Sequence, residues 1–203
     1  DKDGTVIGYE VISKGFSRTD VAPAEGDPAA TLAGMLTGTA LKPAPAFGTP
    51  SESYGFANKR LGWETIPPFL PGPSPLRTSH LRDPVGPQIH FASESFIDEI
   101  ATATGEDPVA FRLKYLKDPR AAAAIKAAAD KAGWKTGPAG ARRTVKGDTA
   151  TGLGIAYGGR SGTTVAAVAE VEVNKSTGRI WVRRMTVAHD CGLIVNPGGL
   201  KLC

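Results

Sequence analysis

Residues 75–101 read Pro-Leu-Arg-Thr-Ser-His-Leu-Arg-Asp-Pro-Val-Gly-Pro-Gln-Ile-His-Phe-Ala-Ser-Glu-Ser-Phe-Ile-Asp-Glu-Ile-Ala, and they predict a strand, a tight loop and a helix. Leu76 to Leu81 can extend, while Asp83-Pro84 and Gly86-Pro87 stop the strand and turn the chain. From Gln88 onward Ile89, Ala92, Phe96, Ile100 and Ala103 recur at helical spacing, so one apolar stripe is expected to dock on a sheet. Pro87 suits a first helical turn because its missing N–H is not needed there. The free N–H groups of Gln88 to His90 then make an end that attracts anions. Arg82 adds a permanent forked cation, and Gly86 allows a ligand to approach the backbone closely.

Working outward, the chain has 203 residues, enough for one good core or two small ones, with 41% apolar and 22% charged residues. Its 25 glycines and 16 prolines point to many turns and long ordered loops rather than a helical bundle. A net charge of +4 and a pI near 9.1 would permit nucleic-acid binding, but the basic residues are scattered and no finger or aromatic-basic pattern is present. No nucleic-acid partner is therefore expected. Cys191 and Cys203 give neither a disulfide framework nor a cluster-binding spacing, so this chain is expected to carry no iron–sulfur centre. No apolar run reaches membrane-spanning length and no signal peptide opens the sequence, and the compartment stays open because Asp1 is not a natural start.

Upstream, Asp1 to Gly4 predicts a hairpin turn into a strand over Thr5 to Ser13, whose partner strand is expected before Asp1. Gly15 to Ser53 reads as a long ordered loop with one short helix near Ala29 to Leu36. Short strands are expected over Tyr54 to Ala57 and Lys59 to Ile66, ended by prolines. Downstream, Gly105 stops the first helix, and Asp107-Pro108 and Asp118-Pro119 each supply an N-cap aspartate with proline at the first helical position. The second of these opens an alanine-rich helix over Arg120 to Ala132, with Ile125 inward and Lys126, Asp130 and Lys131 outward.

Residues 135–148 lack an apolar period and are expected to be a linker between units 1–134 and 149–203. Beyond it, Gly152 to Tyr157, Thr163 to Val173 and Arg179 to His189 predict strands, the last two joined by a hairpin turn at Asn174 to Gly178.

Arg82, the Pro/Gly loop, Gly86-Pro87-Gln88, Phe91, Glu94 and Glu99 at this spacing resemble the molybdopterin-contacting loop and helix of the xanthine dehydrogenase/aldehyde oxidase family. The closest type is the large molybdenum subunit of isoquinoline 1-oxidoreductase and nicotinate dehydrogenase. A second match is Asp190-Cys191-Gly192-Leu193-Ile194-Val195-Asn196-Pro197, which follows an Ala-Glu-Val-Glu-Val hairpin strand at Ala169 to Val173 as in the family. The loop departs from the family's usual Arg-Gly-Phe-Gly or Arg-Ser-Pro-Gly, reading Arg82-Asp83-Pro84-Val85-Gly86 here. The resemblance runs well from Pro75 to Pro197 and covers a middle piece of the family's large chain.

It implies an α/β fold of mixed α+β type, built as two partial molybdopterin-binding units with mixed sheets and packed helices. It implies oxidation of an aldehyde or an N-heterocycle with water as the oxygen source. The cofactor implied is molybdenum–molybdopterin of the pterin cytosine dinucleotide type, with a [2Fe–2S] centre in an iron–sulfur small subunit as partner. Arg82, Gly86 and Gln88 would contact the cofactor, and the catalytic glutamate would lie beyond Cys203. Two other readings stay open: a non-catalytic module whose basic loop captures a phosphate or carboxylate, and an inactive fragment.

The remaining polar residues have plainer roles. His80, His90 and His189 do not form a metal-ligand set, and none is assigned one. Glu94, Asp98 and Glu99 are expected on a solvated helix face or in caps and ion pairs rather than in acid–base work. Gly152-x-Gly154 with Gly158-Gly159 is no dinucleotide fingerprint, and its glycines are expected to serve close packing, with a cofactor-facing strand as the other reading. Asn196 is expected to cap a helix opened by Pro197.

Overall fold

The computed structural model describes residues 1–15, 33, 36–38, 53–66, 86–138 and 141–202. The chain divides into two units, one made of Asp1–Thr5, Ser53–Phe56 and Ala92–Cys203, the other of Val6–Glu52 and Ala57–Phe91. The mixed α+β class expected from the sequence holds, with strands and helices in the described residues of this chain. The expected strand at Leu76 to Leu81 and the loop carrying Arg82 lie outside the described residues, as does most of the short helix near Ala29 to Leu36.

In the Val6–Phe91 unit, strand β1 (Tyr9–Gly15) pairs in parallel with β2 (Lys59–Thr65) over seven residue pairs. One edge of β1 thus takes a downstream strand as partner, with the Asn58 carbonyl accepting from the Tyr9 N–H at 2.9 Å as the pairing begins. Alternation of apolar residues marks a strand but not the direction or order of its neighbours, which is why the sequence alone does not show this pairing. The Asp1 to Gly4 turn itself forms, with Gly4 at φ +80 and its N–H 3.3 Å from the Asp1 carbonyl.

The other unit is a helical layer on an antiparallel sheet. Helix α1 (Gly86–Thr104), which belongs to this unit from Ala92 onward, ends at Gly105, which takes the left-handed φ of +72. Helices α2 (Pro108–Tyr115) and α3 (Pro119–Ala132) start as expected, with the Asp107 side chain accepting from the N–H groups of Val109 and Ala110 and the Asp118 side chain from that of Arg120. Gly133 closes α3 at φ +73, a conformation that costs glycine nothing. The alanine stripe of α3 buries Ala121, Ala124, Ile125, Ala128, Ala129 and Ala132. Small side chains let this helix lie close on the sheet.

The sheet runs β3 (Thr144–Lys146), β4 (Thr149–Arg160), β5 (Thr163–Asn174) and β6 (Ile180–Asp190), in that order and antiparallel throughout. Helix α3 packs against β4, β5 and β6. The buried Ile155, Tyr157, Ala166 and Val168 share one sheet face by register, and Arg184 on that face donates to the Ala132 carbonyl at the end of α3. Three cross-sheet rows fall on the opposite face: Gly152, Val171 and Val182; Gly154, Ala169 and Met185; Ala156, Ala167 and Val187.

Residues 135–148 lie inside this unit. Arg142 donates from Nη1 to Asp107 Oδ2 at 3.1 Å and stacks its guanidinium 3.9 Å from the Trp134 ring centroid, and β3 adds a short edge strand.

Candidate functional site

Helix α1 is the element on which the sequence placed the site. Its first turn contains no acidic residue, Gln88 is exposed and Gly86 is half-buried. That turn fits an anionic group such as a pterin phosphate. The N–H groups of a first turn have no partner within their own helix, that turn itself carries no carboxylate, and the Gln88 amide can both donate and accept. Of the three residues expected at the cofactor, Gly86 and Gln88 thus share the first turn, and Arg82 lies outside the described residues.

The rest of α1 differs from the expected stripe. Its buried positions are Ser93, Glu94, Ile97 and Ala101, whereas Phe91 and Phe96 are exposed and Ala92 faces solvent. Burial has shifted by about one position because Glu94 is drawn inward by three donors. Its Oε2 accepts from Arg112 Nε at 2.9 Å and from the Tyr157 N–H at 2.8 Å, and its Oε1 accepts from the Tyr54 hydroxyl at 2.7 Å. Arg112 is fully buried, and it also donates to Asp98 Oδ1 at 2.7 Å, to the Pro108 carbonyl at 3.1 Å and to the Glu94 carbonyl at 3.2 Å.

Desolvation pushes the Glu94 carboxyl above the usual carboxylate range, against the pull of Arg112, Tyr54 and Tyr157. All its partners are donors, which is the arrangement of a carboxylate that stays ionised beside a guanidinium. Of the three acidic residues on α1, Glu94 is in a buried ion pair, Asp98 shares the same arginine and Glu99 is exposed. Hydrophobic periodicity misses this hub, since Arg112 sits where α2 turns inward beside Phe111. The signal available was the charge complement across two helices, which one sequence does not pair.

A second cluster sits at the end of β6. Arg120, in the first turn of α3, makes a two-pronged contact with Asp190, Nε to Oδ2 at 2.8 Å and Nη2 to Oδ1 at 2.7 Å. Asp190 Oδ1 also accepts from the Gly192 N–H at 2.8 Å, and Gly192 takes φ +75 to turn the chain. Those hydrogen bonds, first from Arg120 and then from Gly192, hold the Asp190 carboxyl well below the usual range. Asn196 caps α4 (Pro197–Leu200) through the Gly199 N–H at 3.0 Å, as its position before Pro197 predicts. The motif that suggested the family is thus a fastened turn rather than a free tail.

Among the described residues no group of three His, Cys, Asp or Glu side chains is gathered as for a metal ion. Likewise no helix among them is long and apolar enough to cross a membrane.

Comparison with known proteins agrees with this layout. The molybdopterin cofactor-binding domain family matches residues 92–201, from the body of α1 through the Asp190 turn. A nicotinate dehydrogenase subunit of Pseudomonas putida is 34% identical over 98% of this chain, which covers 16% of that protein. The beta subunit of isoquinoline 1-oxidoreductase from Brevundimonas diminuta is 37% identical over 56% of the chain and 14% of its own length. A membrane-bound aldehyde dehydrogenase (pyrroloquinoline-quinone) of Gluconacetobacter polyoxogenes is 30% identical over 53% of the chain and 15% of its own length. No solved structure matches. The chain therefore spans between 14% and 16% of these curated relatives. With the body of α1, the hairpin strands and the Asp190 turn inside the matched region, the chain belongs to the molybdopterin cofactor-binding domain family, among the molybdopterin-binding subunits of the xanthine dehydrogenase type.

Proposed function

We propose that this chain supplies part of the cofactor-binding body of a molybdenum hydroxylase, an oxidoreductase whose substrate is an aldehyde or an N-heterocycle and whose oxygen comes from water. The observation that carries the reading is the family match over 92–201, which begins on the helix whose first turn holds Gly86 and Gln88. When bound, a molybdopterin cofactor supplies the two-electron oxidation, and the protein supplies binding and orientation. On this chain Arg82 would pair with an anionic group of the pterin. Gly86 would leave room for it, and Gln88 would donate to or accept from its polar edge. The cofactor is of the cytosine dinucleotide type, and electrons leave through a [2Fe–2S] small subunit. Two of the relatives are named as single subunits of their enzymes, which supports a partner chain.

No residue of this chain is assigned the proton transfer. Glu94 already accepts from three protein donors, and Glu99 lies in the body of α1, away from its first turn. Production in a host that makes the cofactor, followed by molybdenum analysis and pterin fluorescence after oxidation, tests the reading. Molybdenum and pterin in equal amounts support it. Protein that folds with neither, yet binds inorganic phosphate, supports a simple anion-binding module instead.

A further inference from the structure

Among the described residues the sheet of β3 to β6 is covered on one side only. Helix α3 covers the face of Ile155 and Val168, whereas the opposite face meets solvent. On that open face an added Cβ at Gly154 would touch nothing within 4 Å, so this glycine does not serve close packing within the described structure. Beside it lie Ala167 and Ala169 of β5, and then the large side chains of β6: Val182 is 51% exposed, Met185 60% and Val187 53%. The face is therefore a floor of glycine and alanine with an apolar wall along one edge. A sheet with both faces apolar is a half-built sandwich, because domains bury each apolar face under a second layer.

The size of the face selects the occupant. Eleven residues of β6 at ~3.3 Å each and three strands ~4.8 Å apart give roughly 500 Å². A stable two-body complex buries about 800 Å² on each partner, so a second copy is poorly matched to a face of this area. A layer joined to the sheet by its own polypeptide has no such requirement, since tethering removes most of the cost of association. The relatives have that polypeptide, because the region matching this chain takes up only 14% to 16% of their length. The floor of small residues lets a helix, about 10–12 Å across with its side chains, lie close on the sheet.

We propose that this open face is an interface within the large subunit, covered by an apolar helix from the part of that polypeptide outside these 203 residues. The proposal rests on family membership and not on the cofactor contacts of α1. It is tested with Met185→Glu/Val187→Lys in two settings. One is the 203-residue chain; the other is the nicotinate dehydrogenase relative of Pseudomonas putida carrying this chain in place of its matching segment. The readouts are sedimentation velocity, thermal midpoint and soluble yield. In the isolated chain the paired charges should leave the midpoint unchanged and the protein monomeric, since both positions are exposed. In the graft they should lower soluble yield several-fold relative to the parent graft, because charge is then forced under a packed layer. Met185→Leu/Val187→Ile should keep the parent graft's yield. The proposal is overturned if the graft tolerates the charges as well as the isolated chain does, or if the Leu/Ile pair is as damaging as the charged pair. It is also overturned if the isolated chain sediments as a dimer that the charges split. Cofactor content is not a readout here, so a failure of the molybdopterin reading and a failure of this one are told apart.

Discussion

Arg112 on α2 and Glu94 on α1 meet with Nε 2.9 Å from Oε2, the arginine fully buried and the glutamate 6% exposed. The pair joins both helices to the Tyr54 segment and to β4 through Tyr157. It is also the point at which a helix that reads as amphipathic in sequence turns a charged residue inward.

Removing one partner should be far worse than removing both. Arg112→Met leaves the Glu94 carboxylate buried with only neutral donors, and should cost about 3–5 kcal/mol in chemical denaturation. Glu94→Leu combined with Arg112→Met should recover much of that loss, since the cost of burying the charges goes with them. An unchanged midpoint for Arg112→Met would show that the pair does not hold the helices.

Acid should act through Asp107. Burial raises its carboxyl, but donors from Ala110, Trp134 and Gly137 and the charge of Arg142 outweigh this and set it below the ordinary aspartate value. Its stabilising contribution is then complete above that ordinary value and is lost as pH falls through the lower folded value. Glu94 has the opposite sign: with its carboxyl raised in the fold, its own contribution weakens as pH rises from the ordinary glutamate value through the raised one. Because the two slopes oppose, Asp107→Asn isolates the first. Thermal midpoints followed by Trp134 fluorescence from neutral pH to about pH 2 should fall less steeply for Asp107→Asn than for the parent. Parallel curves would contradict the assignment.

The Arg120–Asp190 contact is open to solvent, so its effect on global stability should be small. Its effect is local. Arg120→Ala should speed hydrogen exchange at the Gly192 N–H, which loses the orientation of its Asp190 acceptor, while exchange in the centre of β5 stays as it was. Unchanged protection at Gly192 would mean that the turn holds itself.

Most of the architecture was legible from local chemistry. Asp107-Pro108, Asp118-Pro119, Gly105, Gly133 and the Asn174 to Gly178 turn each act through the backbone of their own neighbours, and a single sequence displays such signals directly. What depends on distant partners was not legible. The direction of the β1–β2 pairing, the inward turn of Glu94 toward an arginine 18 residues away and the fastening of Arg142 to Asp107 are all set by tertiary contact. The glycines of β4 divide: Gly159 lies close against the Tyr157 hydroxyl as close packing predicts, whereas Gly154 sits on an open sheet face, and both settings favour the same small residue. Of the candidate site, the place of Gly86 and Gln88 in the first turn of a helix was readable because a helix start is a local event.

The central claim, that this chain helps to hold a molybdopterin cofactor at the start of α1, is tested most directly by metal content. Molybdenum per mole of protein should be measured for the parent, Arg82→Ala, Gln88→Ala and Arg143→Ala, each within the cofactor-loaded large subunit. Arg143 is exposed and lies far along the chain from α1, so it serves as the control. The account predicts lower molybdenum in Arg82→Ala and Gln88→Ala, with Arg143→Ala at the parent level. Equal molybdenum in all four would contradict it.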